Sequence, residues 1–81
     1  MPVALALAAL AAPAHGDAER ASFFVLDAIK SDNGEIAVGT LVRQRGSSAA
    51  VRDLGAALVR DHSASRAEAV AAAGEVGVGV P

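Results

Sequence analysis

Residues 51–70 are the part of the sequence that most constrains how this chain can fold. Apolar and small residues recur there at alternating steps of three and four, which places them on one side of an α-helix. The residues on this stripe are Val51, Leu54, Leu58, His62, Ser65, Ala69 and Ala72. The pattern predicts an amphipathic helix that needs a partner, with a histidine in its packing surface.

A second helical pattern precedes this one, between about residues 18 and 45. Its stripe, within about 40° of one line at 100° per residue, consists of Phe24, Ala28, Ser31, Glu35, Val38 and Val42. Phe23, Ile29, Ile36 and Leu41 flank the stripe, so the apolar surface is wide. Asp32-Asn33-Gly34 is a turn signal in the middle; the helix either breaks there or continues with a penalty of about 1 kcal/mol for glycine. We expect one long helix, with or without a kink.

Gly46-Ser47-Ser48 separates the two patterns. Glycine suits a left-handed residue at the end of the first helix, and either serine can cap the start of the second. So short a connection predicts an antiparallel pair. The second helix is expected to run to about Ala73 and to end at Gly74, followed by an extended tail. The predicted fold class is all-α, an antiparallel helical hairpin.

Residues 1–16 have the features of an export signal. From Val3 to Ala12 the chain contains only Val, Ala and Leu, which is the length of a signal-peptide core and too short to span a bilayer. Small residues allow cleavage after residue 14 or 16. No Lys or Arg precedes this run, so an alanine-rich helix start or an uncleaved anchor are the alternatives. The predicted division is a signal-like helix at 1–16 and a helical domain at 17–81, exported to the periplasm or cell envelope.

Composition excludes several kinds of protein. The chain has two Phe, no Trp, no Tyr and a formal charge of −2, which argues against a nucleic-acid partner. Without Cys there is no disulfide and no thiolate metal site. Because 21 of the 81 residues are Ala, the core of so small a domain is expected to be thin. We therefore expect a hairpin that either dimerises into a four-helix arrangement or is partly molten.

Several short motifs resemble the DUF4142 family. With x for any residue, they are Glu35-Ile36-x-Val38-Gly39-x-Leu41, Ser47-Ser48-x-x-Val51-Arg52, Leu58-Val59-Arg60-Asp61-His62-Ser63 and Gly77-Val78-x-Val80-Pro81. The resemblance implies an exported, ferritin-like helical protein of the kind labelled predicted outer-membrane protein, with no established activity. Family members continue into a second helix pair, so the resemblance implies half of a four-helix bundle. The partner would be a second copy or the missing helix pair.

His62 and Glu35 are the candidate metal ligands. Four-helix carboxylate proteins hold metals between facing Glu and His side chains, and Zn²⁺ or Fe²⁺ would suit this pair. Val59 stands where the Glu of a Glu-x-x-His motif belongs, and one hairpin supplies too few ligands. The alternative is a structural histidine bonded to a carboxylate or hydroxyl on the facing stripe, such as Ser31. No nucleophile motif surrounds Ser63 or Ser65, so catalysis is not indicated.

Three hypotheses of function follow. The first is a non-catalytic binding or assembly module of the bacterial envelope, with an unidentified ligand. The second is a metal-binding, ferritin-like protein that uses Glu35 and His62 in a dimeric bundle. The third is a truncated gene product with no independent role.

Overall fold

The computed structural model describes residues 15–81, which form two long helices joined by a short loop. Helix α1 spans His15–Arg45 and helix α2 spans Ala49–Val76, and the two pack against each other as a hairpin. The described residues contain no strand, so the predicted all-α hairpin is confirmed. Most of the predicted signal segment lies outside the described residues; its last two positions, His15 and Gly16, belong to α1. Neither helix has an apolar stretch long enough to cross a membrane.

Helix α1 runs through the Asp32-Asn33-Gly34 turn signal without a break. The expected start near residue 18 is three residues late, and the expected end at Arg45 is correct. The turn signal fails because Asp32 is held by side chains of α2, so its carboxylate does not compete for the backbone of its own helix. Tertiary contacts thus outweigh the local preference of these three residues.

The loop between the helices uses Ser48 as the cap of α2. Its hydroxyl accepts a hydrogen bond from the backbone N–H of Val51 at 3.2 Å. The expectation that Gly46 is left-handed is wrong: among the described glycines, only Gly77 has a positive φ. A side chain at Gly46 would instead collide, since a Cβ there would lie 2.7 Å from the carbonyl oxygen of Val42 and 2.9 Å from Val51. Glycine is required at this position by crowding in the loop.

Helix α2 ends at Val76 with Gly77 as its cap, three residues after the predicted end at Ala73 and Gly74. Gly77 has φ 73° and ψ 31°, and the N–H of Val78 donates to the carbonyl oxygen of Ala73 at 2.9 Å. This is the Schellman arrangement, which satisfies the last carbonyls of a helix. Glu75 and Val76 are therefore helical, and the extended tail is shorter than expected.

The packing stripe of α1 lies one residue away from the predicted one, and that of α2 keeps the predicted His62 and Ala69 but is otherwise displaced by one residue. Ile29 and Ala73 are fully buried and Asp32, Gly39 and Gly55 are buried with them, whereas Phe24, Val38 and Leu54 are more than half exposed. A change of one residue rotates a helix by about 100°. The interface of α1 follows Val25, Ile29, Asp32, Ile36 and Gly39, and that of α2 follows Gly55, Val59, His62, Arg66, Ala69 and Ala73.

Two glycines bring the helices together near the loop. A Cβ on Gly55 would lie 2.4 Å from the backbone nitrogen of Arg43 and 2.7 Å from the carbonyl oxygen of Gly39. A Cβ on Gly39 would lie 2.9 Å from the Cβ of Leu58. Because neither glycine has a side chain, backbone approaches backbone at this crossing. The close approach fixes which residues face each other farther along the hairpin.

Candidate functional site

A polar cluster crosses the hairpin interface at mid-height. Asp32 of α1 accepts two hydrogen bonds from α2, one at each carboxylate oxygen. The Nδ1 atom of His62 lies 3.0 Å from Oδ1, and the hydroxyl of Ser65 donates to Oδ2 at 2.9 Å. Beside them, the Nε atom of Arg66 donates to the side-chain oxygen of Asn33 at 2.6 Å. These bonds join residues about thirty positions apart and set the register of the two helices.

The carboxylate of Asp32 is almost completely enclosed, with its side chain 8% exposed, while the imidazole of His62 is 31% exposed. The hydrogen bond from His62 is the main reason that the pKa of Asp32 lies below its ordinary value. The bond from Ser65 and the positive charges of His62 and Arg66 act in the same direction, and burial opposes them. Asp32 is therefore an ionised, fully bonded carboxylate at neutral pH.

An ionised carboxylate can only accept, so the bond to Asp32 requires the proton of His62 to lie on Nδ1. Nε2 of His62 is then the nitrogen with a free lone pair in the neutral ring. A carboxylate at one ring nitrogen orients the other in many metal-binding and proton-transferring histidines. The hydroxyl of Ser65 is hydrogen-bonded to the carboxylate rather than to the imidazole, so the three residues do not form an activated serine nucleophile. The described residues enclose no pocket.

Asp32 is the residue that the sequence analysis missed. The local sequence predicts a turn at Asp32, and the predicted stripe places Glu35 opposite His62. Two signals in the sequence identify Asp32. It lies on a stripe with both isoleucines of α1, and Asp32 and His62 are each fifteen residues from Ser47, in the middle of the loop. Residues equally distant from a hairpin loop are at the same height along it.

Glu35 lies one turn after Asp32 and is half-buried. The expected structural alternative, a histidine bonded to a facing carboxylate, describes the observed contact, with Asp32 in the place where Ser31 was suggested. Within residues 15–81, no group of three or more His, Cys, Asp or Glu side chains is close enough to hold a metal ion. A site that uses Glu35 and His62 would need ligands from a second molecule.

Comparison with models of known protein families gives a match. The family described as Domain of unknown function (DUF4142) matches residues 6–81. The chain belongs to the DUF4142 family. The match includes both helices, the loop and the polar cluster. Neither a curated protein nor a solved structure matches the chain.

Proposed function

We propose that this DUF4142 chain is an exported, non-catalytic helical module of the bacterial cell envelope that acts by packing against other helices. The observation that carries the proposal is a set of large apolar side chains left uncovered on one face of the hairpin. Phe24 is 75% exposed, Leu54 58% and Val38 52%. Burying apolar surface contributes roughly 25 cal/mol per Å², so covering this face favours association.

These residues lie on the same face because the hairpin is antiparallel. Phe24 and Val38 are one residue away from the interface stripe of α1, and Leu54 stands in the same relation to Gly55 on α2. An antiparallel pair has an approximate two-fold axis perpendicular to the plane of its helices, so equivalent offsets point to one side. We call this side the open face and define it by Phe24, Ser31, Val38, Val51 and Leu54.

The opposite side of the hairpin is polar. It carries Asn33, Thr40, Arg52 and Ser63, three of which are bonded within the hairpin. The asymmetry supports a module with one docking side and one solvated side. In a ferritin-like four-helix bundle, a second helix pair would cover the open face.

A photoreactive benzoylphenylalanine in place of Phe24, expressed in intact cells, tests the assembly role. We expect an adduct with a protein partner on irradiation. The same group in place of Phe23 is the matched control, because Phe23 shares a line with the exposed residues Lys30 and Ala37 and points away from α2. Absence of adducts at position 24, or equal adducts at both positions, would reject the assembly role.

Export is a separate part of the proposal. Residues 1–16 have the composition of a signal peptide, so the mature protein is expected to begin near His15 or Asp17. Mass spectrometry of the protein from the periplasmic fraction of a Gram-negative host gives the mature N-terminus. A cytosolic product that keeps Met1 would contradict export.

Metal binding is the second candidate function. The observation in its favour is that Asp32 holds His62 with Nε2 free, which is the orientation of a ligating histidine. Glu35, one turn farther along α1, is the candidate second ligand. Two hairpins would supply two carboxylates and two imidazoles, a donor set suited to Zn²⁺ or Fe²⁺. The ion would be held between copies, where it would strengthen their association.

A further inference from the structure

We infer that the open face binds a second copy of this chain, with the two hairpins antiparallel about a two-fold axis that passes near Ser31. The inference rests on the proposed assembly role and specifies the partner, its orientation and its register. Three observations carry it: the spacing of the apolar side chains, the distribution of charge along the hairpin and the small size of the core.

The apolar side chains are spaced symmetrically about Ser31. Phe24 and Val38 each lie seven residues from it, or about 10 Å along the helix axis at 1.5 Å per residue. A two-fold axis through Ser31 therefore brings Phe24 of one copy to the height of Val38 of the other. Ser31 is small and exposed, so the two backbones can approach closely between these contacts. The large side chains of each copy then meet large side chains of its partner.

Charge along the hairpin favours the antiparallel orientation. Near the loop, three arginines and one aspartate give a formal side-chain charge of +2; they are Arg43, Arg45, Arg52 and Asp53. At the opposite end, five carboxylates and one arginine give −4; they are Asp17, Glu19, Asp27, Glu68, Glu75 and Arg20. An antiparallel pair places the positive end on the negative end. A parallel pair would place like charges together, which costs free energy.

The same register pairs individual charges. Arg45 and Asp17 are each fourteen residues from Ser31, so Arg45 of one copy lies at the height of Asp17 of the other. Arg45 is on the same helical line as Phe24, Ser31 and Val38, at seven-residue intervals. This register therefore matches opposite charges at the ends of α1, while nearer the axis it brings Glu35 of one copy to the height of Asp27 of the other, since each lies four residues from Ser31.

The apolar core of the hairpin is small, and such a pairing would enlarge it. Only Ile29 and Ala73 are buried apolar side chains among the described residues, which is little for a domain of this size. A polar side of Asn, Thr, Ser and Arg residues faces away from the interface and would keep the dimer in solution. Pairing through the open face encloses Phe24, Val38, Val51 and Leu54, whereas Phe23 and Leu41 lie on the outer side of α1 and stay exposed.

Engineered cysteines test orientation, because the natural chain has none. Mixing Phe24→Cys with Val38→Cys chains under mild oxidation is expected to give a disulfide-linked heterodimer. Val38→Cys alone is expected to remain unlinked, since its two copies would be about 21 Å apart along the axis and a disulfide needs Cα atoms within about 7 Å. Phe23→Cys mixed with Val38→Cys is the control and should not link. Efficient linking of Val38→Cys to itself would overturn the antiparallel register.

Association itself is tested by sedimentation of the mature chain at about 100 µM, roughly a hundredfold above a micromolar dissociation constant. The wild type and Phe23→Ser are expected to be dimers, and Phe24→Ser a monomer with unchanged helical circular dichroism. A wild-type monomer, or equal loss of dimer in both variants, would overturn the inference.

The photoreactive residue at position 24 gives a second test. An adduct with residues 1–14 of its own chain would overturn the inference. An adduct with a different protein would rule out a second copy as the partner but keep the assembly role, and absence of any adduct would reject both the dimer and the assembly role.

Discussion

At the scale of single residues, Asp32 connects the folding of this hairpin to its candidate chemistry. Its carboxylate is bonded to His62 and Ser65, and it fixes both the register of the helices and the proton position on the imidazole. The described residues leave no buried side-chain nitrogen or oxygen without a partner. A buried carboxylate of this kind stabilises the fold only as long as it stays ionised and bonded.

Acid is therefore expected to destabilise the hairpin through Asp32. Its folded-state pKa is below the ordinary value of about 3.9, so its contribution is fully present above that value and is lost as the pH falls through the folded-state pKa. Asp32→Asn should lower the free energy of unfolding at pH 7, and the difference from the wild type should shrink below about pH 4. Urea unfolding followed by circular dichroism at pH 7, 5 and 3 measures it. Asp27→Asn, at an exposed position of the same helix, is the control; a difference that stays constant with pH would contradict the role of Asp32.

At the scale of the helices, Gly55 and Gly34 are both within helices, but only Gly55 is needed for helix packing. Gly55 lies at the crossing, where a Cβ would be 2.4 Å from the backbone of Arg43, whereas a Cβ on Gly34 would meet nothing within 4 Å. Both are inside helices, where alanine is intrinsically favoured over glycine by about 1 kcal/mol. The packing around each glycine decides whether replacing it with alanine raises or lowers the free energy of unfolding.

Gly55→Ala is expected to destabilise the hairpin by roughly 1–3 kcal/mol, because the helices must move apart to admit the methyl group. Gly34→Ala should stabilise it by up to about 1 kcal/mol through helix propensity alone. Thermal unfolding of the two variants beside the wild type measures both effects. Equal shifts in the same direction would show that the helices do not cross closely at Gly55.

The start of α2 depends on one side chain. Ser48 caps the helix by accepting from the N–H of Val51, and Ser47 makes no such bond. Ser48→Ala is expected to lower the free energy of unfolding by about 1 kcal/mol, and Ser47→Ala should have a much smaller effect. Chemical unfolding of both variants distinguishes them. The reverse order would place the cap at Ser47.

At the scale of the whole molecule, the open face exposes Phe24, Val38 and Leu54, the opposite side is more polar, and the two ends of the hairpin carry opposite charge. This arrangement supports the proposed pairing of two copies through the open face. In the antiparallel register, the two copies of His62 lie near the two-fold axis, at about the height of Asp32. Metal binding would then be coupled to dimer formation.

Zinc titration of chelator-treated protein tests the metal-binding alternative. If Glu35 and His62 of two copies hold the ion, Zn²⁺ should raise both the melting temperature and the apparent mass. His62→Ala and Glu35→Gln should each abolish the response, and Asp61→Asn, beside His62 on the surface, should keep it. Sedimentation and thermal melting in parallel provide the measurements. If neither property of the wild type responds to Zn²⁺, the metal site is ruled out and His62 is a structural residue.

The fold class and the family could both be predicted from the sequence alone. Helical periodicity, a loop of three small residues and a serine cap are local properties, so two antiparallel helices could be predicted from them. The DUF4142 motifs are equally local, since they are read from residues near each other in the chain. Both predictions hold because neither depends on how the helices rotate about their axes.

Which residues face each other depends on the packing of the two helices and could not be predicted from the sequence. The stripes of α1 around Phe24 and around Ile29 differ by about 100°, and either can be buried by a single partner. Contact between Gly39 and Gly55 selects one rotation, which buries Ile29 and Asp32 and leaves Phe24 on the open face. For the same reason the partner of His62 is Asp32. Periodicity measures how apolar a face is, but the close approach of two backbones depends on residues from both helices at once.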